Sequence, residues 1–417
     1  MKDRINNLEL LAPAGSLEKA KVAFTFGADA VYLGIPDFSL RVRINDFDFL
    51  KIKQAIKYAH DINKKVYITI NIFAHNYHFK KLEIYIKKLS KLNVDALIIS
   101  DPGVLELVKR IWSEAEIHLS TQANCTNFES ANFWVKQGVK RIILGREVKL
   151  KEIREIYKKV PNVELEYFVH GAMCMSYSGR CFLSTYFLNK SANLGDCVQP
   201  CRWKYNFKDN QKSVFIAEEK RENQSLELIE ENHGSYILNS KDLCLIKYLK
   251  ELKKAGIRSF KIEGRAKSVY YQAIICGIYK HVLNNLDNLD KKDLEYYYNE
   301  LYSKLVHRGF SSGFLLDKSG EQELEKARYK SNWEFCGQVI DSKRGKCRIK
   351  VHNTLKINDT IEIVNPYYNI IKLKLKNMIN AKNKKEIKEA HGGCRTELII
   401  NIDSEVVKGS VVRRKIR

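Results

Sequence analysis

Along the first 170 residues a short apolar run repeatedly gives way to a helix-patterned segment. The runs are "LELLAPAG" (8–15), "AVYLG" (30–34), "KVYITIN" (65–71), "ALIIS" (96–100), "EIHLST" (116–121), "RIILG" (141–145) and "ELEYFVHG" (164–171). Runs this apolar, separated by amphipathic stretches such as "DFLKIKQAIKYAHD" and "GVLELVKRIW", predict parallel strands buried on both faces in βα units. In "SLEKAKVAFTFG", Ser16 is placed to cap the helix start and Gly27 to end it. An eighth strand is predicted in "IRSFKIEGR" (257–265), after the helix-like "KDLCLIKYLKELKKAG". Eight units favour a TIM-type (β/α)8 barrel over an open doubly wound sheet with the same local pattern. Either fold gathers its site at the carboxyl ends of the strands. Pro13, Gly15, Asn71, Ser100, Asp101, Gln122, Arg146, Glu147, His170, Glu263 and Arg265 stand there.

Between strands seven and eight lies an insertion at about 171–255, on the predicted catalytic face. Its polar part "EEKRENQSLELIEENHGS" is expected to be loop or a short hairpin. Residues 1–284 thus form the catalytic domain, and 285–330 a charged helical connector. From residue 331 the pattern changes to alternation: "WEFCGQVI", "KCRIKV", "DTIEIV", "IIKLKLKN", "TELIINI" and "SVVRRKI" read as short strands of a small all-β barrel over 331–417.

Composition adds a sign to that picture. The chain carries 72 Lys and Arg against 49 Asp and Glu, a net +23. Residues 331–417 hold 19 Lys and Arg against 9 Asp and Glu. In "IIKLKLK" lysines alternate with apolar residues, so one face of that strand is cationic. An RNA-contacting face and an ordinary solvated face both account for this. The apolar stretch in "MKDRINNLELLAPAG" is too short for a secretory leader, and no apolar run reaches the roughly 18 residues of a membrane helix. A cytoplasmic location without membrane contact is expected, where stable disulfides are rare.

Four of the ten cysteines, Cys174, Cys181, Cys197 and Cys201, fall within 28 residues. Four soft thiolates suit an iron–sulfur cluster or zinc. Only Cys197 and Cys201 form a close pair of the kind zinc knuckles use. The wider spacing of Cys174 and Cys181 suits a larger cluster; zinc and thiol redox chemistry stay open on spacing alone. Gly171, Gly179 and Gly195 offer close backbone approach to sulfur. Cys244 is a fifth candidate ligand, whereas Cys125, Cys276, Cys336, Cys347 and Cys394 are isolated and read as core.

The stretch "ELEYFVHGAMCMSYSGRCFLSTY", followed by "GDCVQPCRWKY", resembles the signature region of peptidase family U-32, the collagenase-like proteases. The resemblance extends to "LELLAPAGSLEKAKVAFTFGADAVYLG" and to "YILNSKDLCLI" with "GIRSFKIEGRAKS", and so spans most of residues 8–330. Within the family the chain is most similar to the tRNA-hydroxylation branch, which "HRGFSSGFL" and the β-domain also fit. The resemblance implies a TIM-like core and an oxygen-sensitive 4Fe-4S cluster. It also implies synthesis of 5-hydroxyuridine at the tRNA wobble position, with prephenate as co-substrate. Carried over by position, the cluster ligands are Cys174, Cys181, Cys197 and Cys201, with Cys244 competing as the fourth.

Prephenate carries two carboxylates, so its site should present arginines. Arg146 and Arg265 follow strand ends, and Arg180 and Arg202 flank the cysteines. Glu263 can orient an arginine or take part in proton transfer, and His170 is a candidate proton carrier. Tyr177 and Trp203 are candidates for stacking a base. A partner delivering electrons or the cluster is also expected. Two other classes stay in view. A collagenase-like peptidase is one, although neither H-E-x-x-H nor G-x-S-x-G occurs in the chain. The other is a non-catalytic RNA-binding or assembly factor stapled by zinc or Fe–S.

Overall fold

The computed structural model describes residues 8–174, 176–177, 180–203, 213–216, 226–229, 239–316, 321–322, 328–343, 345–394 and 396–416. The chain begins β1 (Glu9–Pro13), α1 (Leu17–Thr25), β2 (Ala30–Gly34), α2 (Phe49–Asp61), β3 (Lys65–Ile70), α3 (Phe79–Leu89) and β4 (Ala96–Ile99). It continues α4 (Pro102–Ile111), β5 (Ile117–Leu119), α5 (Phe128–Lys136), β6 (Arg141–Ile143), α6 (Leu150–Lys159) and β7 (Glu164–Gly171). The insertion contributes α7 (Leu183–Leu188), the antiparallel hairpin β8 (Ser213–Ile216) and β9 (Leu226–Ile229), β10 (Asp242–Cys244) and α8 (Leu249–Lys254). Then come β11 (Ile257–Ile262), α9 (Val269–Asn284), α10 (Lys291–Lys304) and β12 (Phe310–Ser311).

Strands β1 to β7 pair in sequence order, all parallel. β11 closes the circle, with Glu9 opposite Ser259 and Tyr167 opposite Phe260. This is the eight-stranded barrel that the alternation predicts. Every residue of β2 and β4 is buried, because helices cover the outside and side chains fill the inside. Local chemistry sets the helix starts. Ser16, Asp48, Asp101, Asn127 and Ser268 each accept a backbone N–H from the first turn of α1, α2, α4, α5 and α9. Gly27, at φ +101°, follows the end of α1, as expected of a left-handed stop.

Two local expectations change. The helix-like "KDLCLIKYLKELKKAG" opens instead as strand β10, which lies antiparallel against β7 with Leu243 opposite Gly171; α-helix begins only at Leu249. Tertiary pairing there outweighs helix propensity. Among its described residues the connector is helical over α10 alone. After it, β12 pairs with β10, and Arg308 binds Asp242 through Nε at 3.0 Å. Of the polar "EEKRENQSLELIEENHGS" only "LELI", strand β9, is among the described residues.

The C-terminal strands are β13 (Trp333–Lys343), β14 (Lys346–Val351), β15 (Leu355–Lys356), β16 (Thr360–Val364), β17 (Ile370–Lys374), β18 (Ile379–Asn380), β19 (Glu389–Ala390), β20 (Glu397–Asn401) and β21 (Val411–Lys415). Seven of them form one antiparallel sheet in the order β17-β16-β21-β13-β14-β20-β18. It is the small β-domain read from the sequence, in half-barrel form. On β14, Cys347, Ile349 and Val351 point into its core while Lys346, Arg348 and Lys350 are exposed. The domain seats on the barrel's outer helices: Tyr270 of α9 stacks on Phe335 at 5.6 Å, and buried Arg413 reaches Glu300 of α10 at 3.5 Å.

Candidate functional site

Charged residues occur inside strands that are otherwise apolar, and in the barrel they face inward and neutralise one another. Arg141 on β6 reaches Glu9 Oε1 at 2.5 Å and Glu166 Oε2 at 3.1 Å. Lys261 on β11 places Nζ 2.6 Å from Glu166 Oε1. Tyr67 and Ser259 donate to Glu9 at 2.6 and 2.8 Å. Burial alone would raise the Glu9 carboxyl; the Arg141 guanidinium and these hydrogen bonds outweigh it and hold it at about 2. Burial lowers the Lys261 ammonium, with Glu166 opposing.

Above this layer, at the carboxyl ends of the strands, opens a cavity of about 440 Å³. Its barrel side includes Tyr32, Thr69, Asn71, Gln122, Phe168 and Lys261, several of them at the predicted strand ends. The insertion supplies the other side with Cys174, Cys181, Cys197 and Cys201. Short contacts hold that segment in place. Asn193 Oδ1 accepts the Cys181 N–H at 3.3 Å, Ser184 Oγ accepts the Val198 N–H at 3.2 Å, and the Trp203 indole donates to Val198 O at 3.1 Å. Trp203 is therefore a packing residue, with its ring against Phe187.

The glycines serve a different contact from the one expected. A Cβ at Gly171 would fall 2.5 Å from the Glu263 carbonyl, and one at Gly195 2.8 Å from the Ser39 carbonyl. Both sit at positive φ and let backbone meet backbone. Gly179 lies outside the described residues.

Arg146, Arg180 and Arg265 all line the cavity. Arg146 lies over the Phe168 ring at 4.0 Å, and Arg180 stands 5.8 Å from the Phe73 ring. Arg265 is buried; it contacts Thr69 Oγ1 at 3.4 Å and donates to the Leu40 carbonyl. A fourth arginine, Arg41, was not foreseen. Its backbone is left-handed at φ +69°, a conformation that non-glycine residues hold only where the surroundings impose it. Burial opposes its charge, while Glu263, Cys174 and Cys197 favour it and raise its pKa. Only its place in the loop after strand two hinted at a site role. Glu263 lines the same cavity. Arg202 is not part of that lining: its Nη1 bonds Gln199 Oε1 at 2.7 Å and its Nη2 the Met173 carbonyl at 3.4 Å.

The family model for peptidase family U32 matches residues 15–325, and that for the U32 C-terminal domain matches 331–413. The chain belongs to peptidase family U32. It is 37% identical to the tRNA hydroxylation protein P of Escherichia coli (strain K12), over 90% of this chain and 89% of that protein. It is 35% identical to the 23S rRNA 5-hydroxycytidine synthase of the same organism, over 76% of this chain and 46% of that protein. A collagenase of Porphyromonas gingivalis (strain ATCC BAA-308 / W83) is 32% identical, over 75% of this chain and 74% of that protein.

In this U32 chain three further candidates stand away from the cavity lining. His170 is buried with Nδ1 3.2 Å from the Tyr279 hydroxyl and its ring against Tyr279 and Phe310. Burial pushes it down to about 3, which holds it neutral. Cys244, opposite His170 on β10, has Sγ 3.9 Å from the same hydroxyl, and burial pushes its thiol up to about 12. Neither lines the cavity. Tyr177 is 53% exposed and also outside the lining.

Among the described residues, no group of three His, Cys, Asp or Glu stands in the arrangement that one metal ion needs. Yet the four clustered cysteines Cys174, Cys181, Cys197 and Cys201 share the cavity, and Cys201 lies within electrostatic reach of the other three. A four-iron cube spreads its ligand sulfurs wider than a single tetrahedral ion does, and four thiols are its usual donor set. The residues present fit such a group in donor type and in common location. No helix among the described residues is long and apolar enough to cross a membrane.

Proposed function

We propose that this U32 protein is an RNA-modifying enzyme that converts the wobble uridine of tRNA to 5-hydroxyuridine, with prephenate as co-substrate and a 4Fe-4S cluster as cofactor. The observation that carries the reading is the meeting of four thiols and four arginines, Arg41, Arg146, Arg180 and Arg265, on one cavity at the carboxyl end of the barrel. The relatives named for tRNA hydroxylation and for rRNA 5-hydroxycytidine synthesis support the same chemistry.

Cys174, Cys181, Cys197 and Cys201 would hold the cluster, which when bound supplies a Lewis-acidic, redox-capable iron to the cavity. The arginines bind and orient the carboxylates of the co-substrate, because guanidinium pairs two N–H donors with two carboxylate oxygens. Glu263, beside Arg41 and Arg265, sets their orientation and can hold a proton at its carboxylate. Asn71 and Gln122 offer amide donors and acceptors for the edge of a base, and Tyr32 and Phe168 form an apolar wall that excludes water. The basic β-domain supplies phosphate contacts. A partner that delivers electrons or the cluster belongs to the same proposal.

A peptidase built on one of these thiols needs a base beside it. No histidine is among the described residues that line the cavity. The test starts with anaerobic purification and assay of iron, sulfide and zinc. About four irons per chain are expected, lost in Cys174→Ala and Cys181→Ala. Nucleoside analysis of tRNA from a deletion strain should then show loss of 5-hydroxyuridine, restored by the unaltered gene alone. Zinc without iron would replace the cluster by a structural staple. An unchanged nucleoside profile would remove the hydroxylase.

A further inference from the structure

Large aromatic side chains on a monomer's surface normally find cover. Here several do not, and they lie on the insertion that lines the cavity and on a loop bonded to it. Phe182 lines the cavity and is nevertheless 77% exposed. One turn along α7, Tyr186 is 83% exposed and stands edge-on to half-covered Phe187 at 5.2 Å. On the loop after β3, Tyr77 is 71% exposed and stacks on His75 with ring planes 12° apart. That loop is tied to the insertion: the Phe73 N–H donates to Asn193 O at 3.2 Å, and the Arg180 guanidinium lies 5.8 Å from the Phe73 ring. Exposed aromatic faces therefore stand on two segments that are joined beside the cavity.

Resting on the RNA reading above, we infer that Phe182, Tyr186 and Tyr77 form a stacking platform for unpaired bases next to the target nucleotide. A base enters a barrel cavity only after leaving its own stack, and its neighbours then lose a stacking partner each. Aromatic faces replace those partners for any base sequence. The chain's +23 charge is complementary to that polyanion. The platform accordingly selects RNA with an unpaired loop over duplex, and the cavity then selects the base.

The test uses the full-length protein prepared anaerobically, an RNA hairpin with a uridine in its unpaired loop, and a blunt duplex of the same length. Fluorescence anisotropy at fixed salt compares the unaltered chain with Tyr186→Ala, Tyr77→Ala, Phe182→Ala and Phe182→Trp. A 2-aminopurine beside the target uridine reports stacking by quenching. Each ring removed should weaken hairpin binding about tenfold and relieve quenching, with duplex binding unchanged and Phe182→Trp close to the unaltered chain. Among the described residues Tyr186 and Tyr77 lie outside the lining that the thiols share, so their variants read the platform even where Phe182→Ala disturbs the adjacent Cys181. If the unaltered chain binds the hairpin and the ring-less variants match it within about twofold, the platform alone is overturned. If the unaltered chain binds neither RNA, the RNA reading falls and the platform with it. A dimer in sedimentation that dissociates on Tyr186→Ala also overturns it, because a second copy then covers the rings.

Discussion

The Lys261 ammonium stands 2.6 Å from Glu166 Oε1, both enclosed inside the barrel on neighbouring strands. Lys261 also faces the cavity, with Tyr32 and Phe168 rings 4.5 and 5.4 Å from its nitrogen. It thus links the ionic floor of the barrel to the site. Glu166 serves two cations, because Arg141 Nη1 binds its other oxygen. Glu166→Gln leaves Lys261 with a neutral partner in a dry interior and should destabilise the fold by about 3–5 kcal/mol. Lys261→Met leaves Glu166 paired with Arg141 and should lose less. Urea unfolding measures both; a Glu166→Gln loss below about 1 kcal/mol would mean the pair is solvated and the linkage wrong.

The cysteines separate into two kinds. Serine at Cys174, Cys181, Cys197 or Cys201 should abolish or sharply reduce bound iron, because each removes one of four thiols on the shared cavity. Serine at Cys244, packed against Tyr279, should keep the iron and cost stability of about 1–3 kcal/mol from a buried hydroxyl. Iron analysis of anaerobic preparations decides this; iron lost from Cys244→Ser with the fold intact would restore Cys244 as a ligand.

Arg41 joins the cavity to Glu263 through charge. Removing a charge-assisted pair with a carboxylate weakens binding by about 1.5–3 kcal/mol, so Arg41→Gln should raise the KM for a dicarboxylate co-substrate about ten- to a hundredfold. Lysine should not rescue it, because a point charge lacks the planar fork. Steady-state kinetics with varied prephenate reads the effect; a fall in kcat at constant KM would assign Arg41 to the chemical step instead.

His170 gives acid sensitivity. Burial holds its folded pKa at about 3, against roughly 6.5 in an unfolded chain. Between those values the unfolded chain binds a proton that the folded chain refuses. The stability contribution is therefore complete above about pH 6.5 and is lost as pH falls, by at most about 1.4 kcal/mol per pH unit from this one group. Glu9, held at about 2, adds loss in the same direction below its unfolded value. Urea midpoints at pH 7.5 and pH 5, for the unaltered chain and His170→Gln, check this; equal slopes would show that His170 does not titrate differently on unfolding.

On the β-domain, Lys346 and Lys350 of β14 and Lys372 and Lys374 of β17 are exposed. Phosphate contacts release counterions, so alanine at each contacting lysine should lower the magnitude of the salt slope of tRNA binding by about one. Affinity measured over a salt series checks it. A slope that stays constant in the fourfold variant would make this an ordinary solvated face.

Much of the architecture is legible along the chain. The seven apolar runs and "IRSFKIEGR" are the eight barrel strands, and Ser16 and Gly27 bound α1 as read. The interior ions were legible in principle. Glu9, Arg141, Glu166 and Lys261 each interrupt an apolar strand, and a charge in a buried strand has to meet another. His170 is where strand alternation misleads. Glu166 and Phe168 face inward, and a period of two would place His170 with them. The register between β7 and β11 shifts after Phe168, so that Ile262 pairs with His170, and β10 caps the strand from the other side. The ring turns instead to Tyr279 and Phe310.

By itself the sequence determined the βα order, the helix caps, the alternating basic β-domain and the four clustered thiols, because periodicity, capping and donor type are local properties of neighbouring residues. Tertiary structure alone decided which charged groups meet. Barrel closure brings Arg141 to Glu9, 132 positions away, and folding of the insertion sets the thiols against Arg41, Arg146 and Arg265. Those choices depend on strand register and on where a loop lands, and neither is written in the residues adjacent to the site.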